Sequence, residues 1–234
     1  MSRILIFGGT VEGRQWAERL GASGSEVVVS VTSEYARRLL PPATSCHVGV
    51  LDRSEMGRYI AALSPERVID ATHPYAVRAT ENIKACCGAL GIPYERVERP
   101  VSEGAWRQDV EHVADAAAAA QSLMRTEGNV LLTTGSKTIQ TYTRAVDSSR
   151  LWARVLPTVQ AITLCDNAGL PSSHIIAMQG PFTAALNAAL YDQLAVRTVV
   201  TKDSGLSGGV EEKVIPALER DIHVIMIDRP KEGQ

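Results

Sequence analysis

The chain has 234 residues, 45% of them hydrophobic and 21% charged, with a formal net charge of −2. That length is generous for one α/β domain and suits two small ones. Charge is balanced in both halves, which argues against a nucleic-acid partner, and no apolar run is long enough to span a bilayer.

The four cysteines, Cys46, Cys86, Cys87 and Cys165, form no C-x-x-C pair, and the five histidines are scattered. Reduced, structural cysteines and no built-in metal site are therefore expected. The chain opens on a strand rather than a signal peptide, which fits a cytoplasmic protein.

The first strand is expected at residues 3–7, where an apolar run reads as a buried parallel strand. It leads into Gly8-Gly9-Thr10-Val11-Glu12-Gly13-Arg14, and a helix follows over 12–20. Strand, glycine turn and helix place a phosphate on a helix N-terminus, where free N–H groups and the helix dipole favour negative charge. Gly8 and Gly13 have P-loop spacing, but Arg14-Gln15 replaces the Lys-Ser/Thr that ATP hydrolysis uses. The dinucleotide pattern G-x-G-x-x-G fits better, with Thr10 in place of the middle glycine and its hydroxyl able to bond a phosphate.

A second strand covers 26–31. Dinucleotide folds that bind NAD place an acid near its end for the ribose 2′-OH, but here Val31-Thr32-Ser33 occupies that place and Arg37-Arg38 follows. Ser33 and Arg37 suit a 2′-phosphate, so NADPH is favoured over NADH. Glu34, the one nearby acid, reads as a first-turn residue of a helix over 34–39, pointing away. Strand 46–48, helix 54–63 and strand 67–70 come next. The loop Asp70-Ala71-Thr72-His73-Pro74-Tyr75-Ala76 stands where open α/β sheets bind ligands. Helix 75–90 and strand 93–97 close this half.

Residues 98–106 are polar, hold Pro and Gly, and mark a boundary between domains 1–98 and 99–234. Beyond it, helices are expected at 113–124, 136–146, 159–166, 183–194 and 210–220. Strands are expected at 129–133, 151–155, 174–178, 198–201 and 223–227. Two strand–helix junctions, Thr134-Gly135-Ser136-Lys137 and Thr201-Lys202-Asp203-Ser204-Gly205, combine small residues, hydroxyls and a lysine, as anion nests do. Gly180-Pro181-Phe182 is a third. The fold class is α/β: two Rossmann-like domains with parallel sheets and an active-site cleft between them. No Y-x-x-x-K pair occurs, which argues against short-chain dehydrogenase chemistry.

Taken together, the turn at Gly8–Arg14, the Asp70–Ala76 loop and the three junctions resemble the precorrin-6A reductase family of cobalamin biosynthesis, in order and over nearly the whole chain. The resemblance implies NADPH-dependent reduction of one double bond in a precorrin-6A macrocycle, giving precorrin-6B. Some members act on the cobalt-bearing form. The implied partner is this small-molecule tetrapyrrole, with no nucleic acid and no membrane.

On that reading Gly8, Gly9, Thr10, Glu12, Gly13, Arg14 and Thr72 hold the cofactor, with Ser33 and Arg37 at the 2′-phosphate. His73, Tyr75 and Asp203 are candidate proton donors. Ser136, Lys137, Arg154, Lys202 and Ser204 are candidate contacts to a substrate rich in carboxylates. Two other readings share the first domain: a different NADPH-dependent oxidoreductase, and a non-catalytic NADP(H)-sensing protein.

Overall fold

The structure, a computed structural model, describes residues 2–98 and 102–230, which fall into two compact units divided at that gap. The first unit runs β1 (Arg3–Phe7), α1 (Val11–Ala22), β2 (Glu26–Val31), α2 (Glu34–Arg37), β3 (Ser45–Val48), α3 (Arg53–Leu63), β4 (Arg67–Asp70), α4 (Val77–Leu90) and β5 (Tyr94–Arg96). All strands are parallel, in the order β3-β2-β1-β4-β5. Alternation along β1 explains the layering. Ile4 and Ile6 pack with Ala17 and Leu20 of α1, whereas Leu5 and Phe7 pack with Met56 and Ile60 of α3 and Ile83 of α4. Both sheet faces are thus covered, which is why β1 reads as an unbroken apolar run.

The second unit runs β6 (Glu111–Val113), α5 (Ala116–Leu123), β7 (Asn129–Leu132), α6 (Ile139–Thr143), β8 (Leu151–Val155), α7 (Val159–Asn167), β9 (Ile175–Ala177), α8 (Ala184–Gln193), β10 (Val196–Lys202), α9 (Glu211–Leu218) and β11 (His223–Ile227). Its sheet is also parallel, ordered β6-β11-β10-β7-β8-β9. Chain direction across each sheet reverses at one place, between β1 and β4 in the first and between β7 and β10 in the second. Loops at the carboxyl ends of those strands flank the crevice where such sheets bind ligands.

Several boundaries differ from the sequence reading. The helix expected from 113 starts at Ala116, capped by Asp115, because Glu111–Val113 pairs with β11 as a short polar edge strand. The expected helix 136–146 splits into a 3-10 turn at Ser136–Thr138 and the short α6. Tyr75 lies in the turn before α4 rather than inside it, and α2 is a single turn. Trp106, the last residue of the expected boundary, is buried in the second unit's core beside Val199 and Val214. Residues 99–101 of that boundary lie outside the described residues. Cys86, Cys87 and Cys165 are buried, and burial pushes the Cys87 thiol up to about 11. Among the described residues, no helix is long and apolar enough to cross a membrane.

Candidate functional site

In the first unit the glycine turn joins β1 to α1. Gly9 has φ +104°, a backbone shape that strains any residue with a Cβ. A Cβ on Gly13 would lie 3.1 Å from Gly8 Cα and 3.4 Å from Ala71 Cβ, so α1 meets the strand ends only because Gly13 is bare. Thr10 caps α1. Its hydroxyl accepts from the Gly13 N–H at 3.1 Å and donates to the Ala71 carbonyl at 2.8 Å. Those bonds occupy the hydroxyl expected to meet a phosphate. Thr10 instead ties the turn to the loop after β4, leaving the anion to the backbone N–H groups of the first helical turn.

The loop after β4 is organised by Asp70, which is fully buried. Its carboxylate accepts from Arg96 Nη1 at 2.7 Å, from the Tyr94 hydroxyl at 3.1 Å and from the Thr72 N–H at 3.0 Å. Arg96 also donates to Thr72 Oγ1 at 2.9 Å. Tyr94 and Arg96 were not singled out from sequence, yet parallel register sets Arg96 directly opposite Asp70. The result is a stiff platform under Thr72, His73 and Tyr75. The Tyr75 N–H donates to His73 Nδ1 at 3.3 Å, and the two rings lie 5.5 Å apart. Both side chains are partly exposed, so each can meet a ligand.

Ser33 caps α2 by accepting from the Ala36 N–H, and Arg37 is paired with Glu34 at 2.7 Å on an exposed surface. Glu34 therefore does not point away, as its sequence position suggests, but turns back onto the arginine. A phosphate would have to compete for that guanidinium.

In the second unit the loops after β7 and β10 are neighbours, joined by the Thr133 N–H donating to the Val200 carbonyl. Gly135 turns with φ +83°, and the buried Thr134 hydroxyl meets Thr138 at 3.0 Å. Ser136 is partly exposed and Lys137 exposed. Burial, and then the charge of Lys137, lower the Lys202 ammonium from its ordinary value, so the structure brings these two lysines together.

Asp203 and Ser204 behave differently from expectation. Buried Asp203 is held by Arg107 at 3.2 Å and Arg229 at 3.7 Å, and its carbonyl accepts from Arg229 Nε. Facing two guanidinium groups, this side chain anchors the arginines of two other segments. The Ser204 hydroxyl donates to the Gly208 carbonyl at 3.2 Å, bracing the loop from within.

Arg154, on β8, is 6% exposed. Its Nη1 donates to Asn187 Oδ1 at 2.7 Å, and the guanidinium lies 4.1 Å over the Phe182 ring. The junction at Gly180–Phe182 thus supplies an aromatic seat for an arginine rather than an anion nest.

Two parallel α/β sheets, the first with a bare-glycine turn at its switch point, define a protein of the Rossmann-like α/β class. The precorrin-6x reductase CbiJ/CobK family model matches residues 3–234, and the chain belongs to that family, the precorrin-6A reductases of cobalamin biosynthesis. It is 36% identical to the cobalt-precorrin-6A reductase of Priestia megaterium, covering 97% of this chain and 91% of that one. It is 35% identical to the Salmonella typhimurium enzyme of the same name, covering 97% and 87%. A solved structure titled CobK precorrin-6A reductase superposes with TM-score 0.83 at 27% identity, covering 100% of this chain and 91% of that one.

Proposed function

We propose that this protein reduces one double bond of precorrin-6A to give precorrin-6B in the cytoplasm, using NADPH. The observation that carries this reading is the meeting of the bare-glycine turn with the Thr72–Tyr75 loop at one switch point, in a chain whose family consists of precorrin-6A reductases.

NADPH supplies the hydride. The chain's own task is to hold the two reactants in register, exclude water and deliver a proton. Gly8, Gly9 and Gly13, with the first turn of α1 through Glu12 and Arg14, would cradle the pyrophosphate. Thr10 and Thr72 fix the loops around it. Ser33 and Arg37 would meet the 2′-phosphate, with Arg37 exchanging Glu34 for the stronger anion.

His73 and Tyr75 are the proposed proton donors, since both sit on the Asp70 platform and keep part of their surface open. Asp203 is proposed to hold Arg107 and Arg229 instead. In the second unit, Ser136, Lys137, Arg154 and Lys202 would receive the carboxylates of the macrocycle.

The test is turnover. Protein, NADPH and precorrin-6A, metal-free and cobalt-bearing in separate cuvettes, should show loss of NADPH absorbance together with a change in the macrocycle spectrum. NADH should support a kcat/KM at least about tenfold lower, the worth of one charge-assisted hydrogen bond to the missing phosphate. No change with either macrocycle would remove the reading. Within it, His73→Ala or Tyr75→Phe should lower kcat by about 10²-fold or more while leaving the Kd for NADPH intact. Normal turnover across pH in both variants would move the proton donor elsewhere.

A further inference from the structure

Lys213 stands on the first turn of α9 and is 8% exposed. A lysine buried to that degree is ordinarily paired. Its ammonium makes no hydrogen bond and no ion pair with any described residue. The nearest charges acting on it are Arg154 from β8, which repels it, and Glu212 on its own helix and Asp203 from the end of β10, which attract it. Asp203 already holds two arginines, and Glu212 is exposed.

Arg154 is in a similar position. Its one described hydrogen bond goes to a neutral amide, and no carboxylate lies within 4 Å of it among the described residues. Among the described residues, two largely buried cations therefore act on one another without a matching anion. Burial weakens the screening of their charges by water, which destabilises the fold.

The arrangement is held in place from several sides. Asn187, fully buried on α8, accepts from Arg154 through Oδ1 and donates through Nδ2 to the carbonyl of Glu212, the residue before Lys213. The Tyr191 hydroxyl donates to the Lys213 carbonyl at 2.9 Å, and Phe182 supports the guanidinium. One helix thereby fixes both the strand that carries Arg154 and the helix turn that carries Lys213.

We infer that Lys213 and Arg154 together form a socket for one carboxylate of the substrate, with Lys213 a binding residue for the macrocycle. This rests on the reading of the protein as a reductase of a tetrapyrrole polycarboxylate. A carboxylate entering the socket completes the charge of both cations and takes donors from each, an interaction stronger than the same pair would give in water. Burial supports it from a second direction, because it pushes the Lys213 ammonium down to about 8. Raising the pH through that value removes the lysine's proton and half the socket's charge, so substrate capture in the free enzyme weakens above it while Arg154 stays charged.

The experiment is steady-state reduction of precorrin-6A by the whole protein, with NADP⁺ binding measured in parallel. Lys213→Met should raise KM for the macrocycle about 10- to 100-fold, the worth of a buried charged hydrogen bond. The Kd for NADP⁺ should stay unchanged, and Tm should hold or rise, because a buried charge has been replaced by an apolar chain of like length. The wild-type kcat/KM should fall as pH passes about 8. Lys213→Arg should restore KM to within a few-fold and abolish that alkaline fall, since its guanidinium stays charged. Unchanged KM and pH profile in Lys213→Met, with active wild-type protein, would overturn the socket and leave the reductase reading standing. A wild-type protein inert toward both macrocycles would overturn the two together.

Discussion

On the proposed reading, the two units handle an anion in opposite ways. In the first unit the polar side chains are engaged with one another: Thr10 with Gly13 and Ala71, Asp70 with Arg96, Tyr94 and Thr72, Arg37 with Glu34. What remains for a ligand at the turn itself is backbone, shaped by Gly9 and Gly13. In the second unit, Lys213 and Arg154 are buried without acid partners among the described residues, and the charge of exposed Lys137 acts on Lys202. A backbone cradle fits a pyrophosphate whose shape never varies. Long cationic side chains fit carboxylates scattered around a large ring. If the proposal holds, the difference teaches that one chain can bind two anionic ligands by rigidity in one unit and by stored charge in the other.

The sharpest way to break the first half of that comparison is Asp70→Ala. It removes the buried carboxylate that Arg96, Tyr94 and the Thr72 N–H share, and should destabilise the protein by about 3–5 kcal/mol in urea unfolding. The cofactor should bind weakly as well, because Thr72 loses its support. If stability holds, the platform is not what stiffens the loop.

A smaller effect separates cofactor selection from folding. Arg37→Ala should reduce the preference for NADPH over NADH about tenfold, from the loss of one charge-assisted bond. Because the Arg37–Glu34 pair is exposed, stability should move by less than ~0.5 kcal/mol. A preference that survives intact would mean that the 2′-phosphate lies away from α2.

The least of the three is Thr10→Ala, a lost cap that should lower stability by about 1 kcal/mol. Cofactor affinity should change only modestly, since the hydroxyl faces Gly13 and Ala71 rather than a phosphate. A large loss of NADPH affinity with little loss of stability would return Thr10 to direct phosphate contact.

Much of the first unit was legible in the sequence because its signals are local. Apolar runs gave β1, β2 and β4, and glycine spacing gave the turn. The partners of Asp70 were not legible: Arg96 lies 26 residues on, and only the parallel register of β4 and β5 brings the two face to face. Lys213 was missed for a related reason. On a helix with two glutamates before it, a lysine looks like an ordinary solvated residue, and only burial against β8 and α8 distinguishes it. The strand β6 escaped because Glu-His-Val is short and polar, and edge pairing with β11 decides its conformation. Arg154 was named from its strand, but its seat on Phe182 and Asn187 required the fold.

Pro216 sits inside α9 and has no N–H, so the carbonyl of Glu212 four residues earlier loses its helical donor. Asn187 Nδ2 fills that vacancy. An amide that spends its nitrogen there must turn its oxygen the other way, and that oxygen is what receives Arg154. The proline thus acts as a molecular compass needle. By withholding one hydrogen, it joins the Thr183 carbonyl in deciding which end of a neighbouring amide points at an arginine on another element. Pro216→Ala would hand the missing hydrogen back to the helix, and the arginine's bearing would then rest on Thr183 alone.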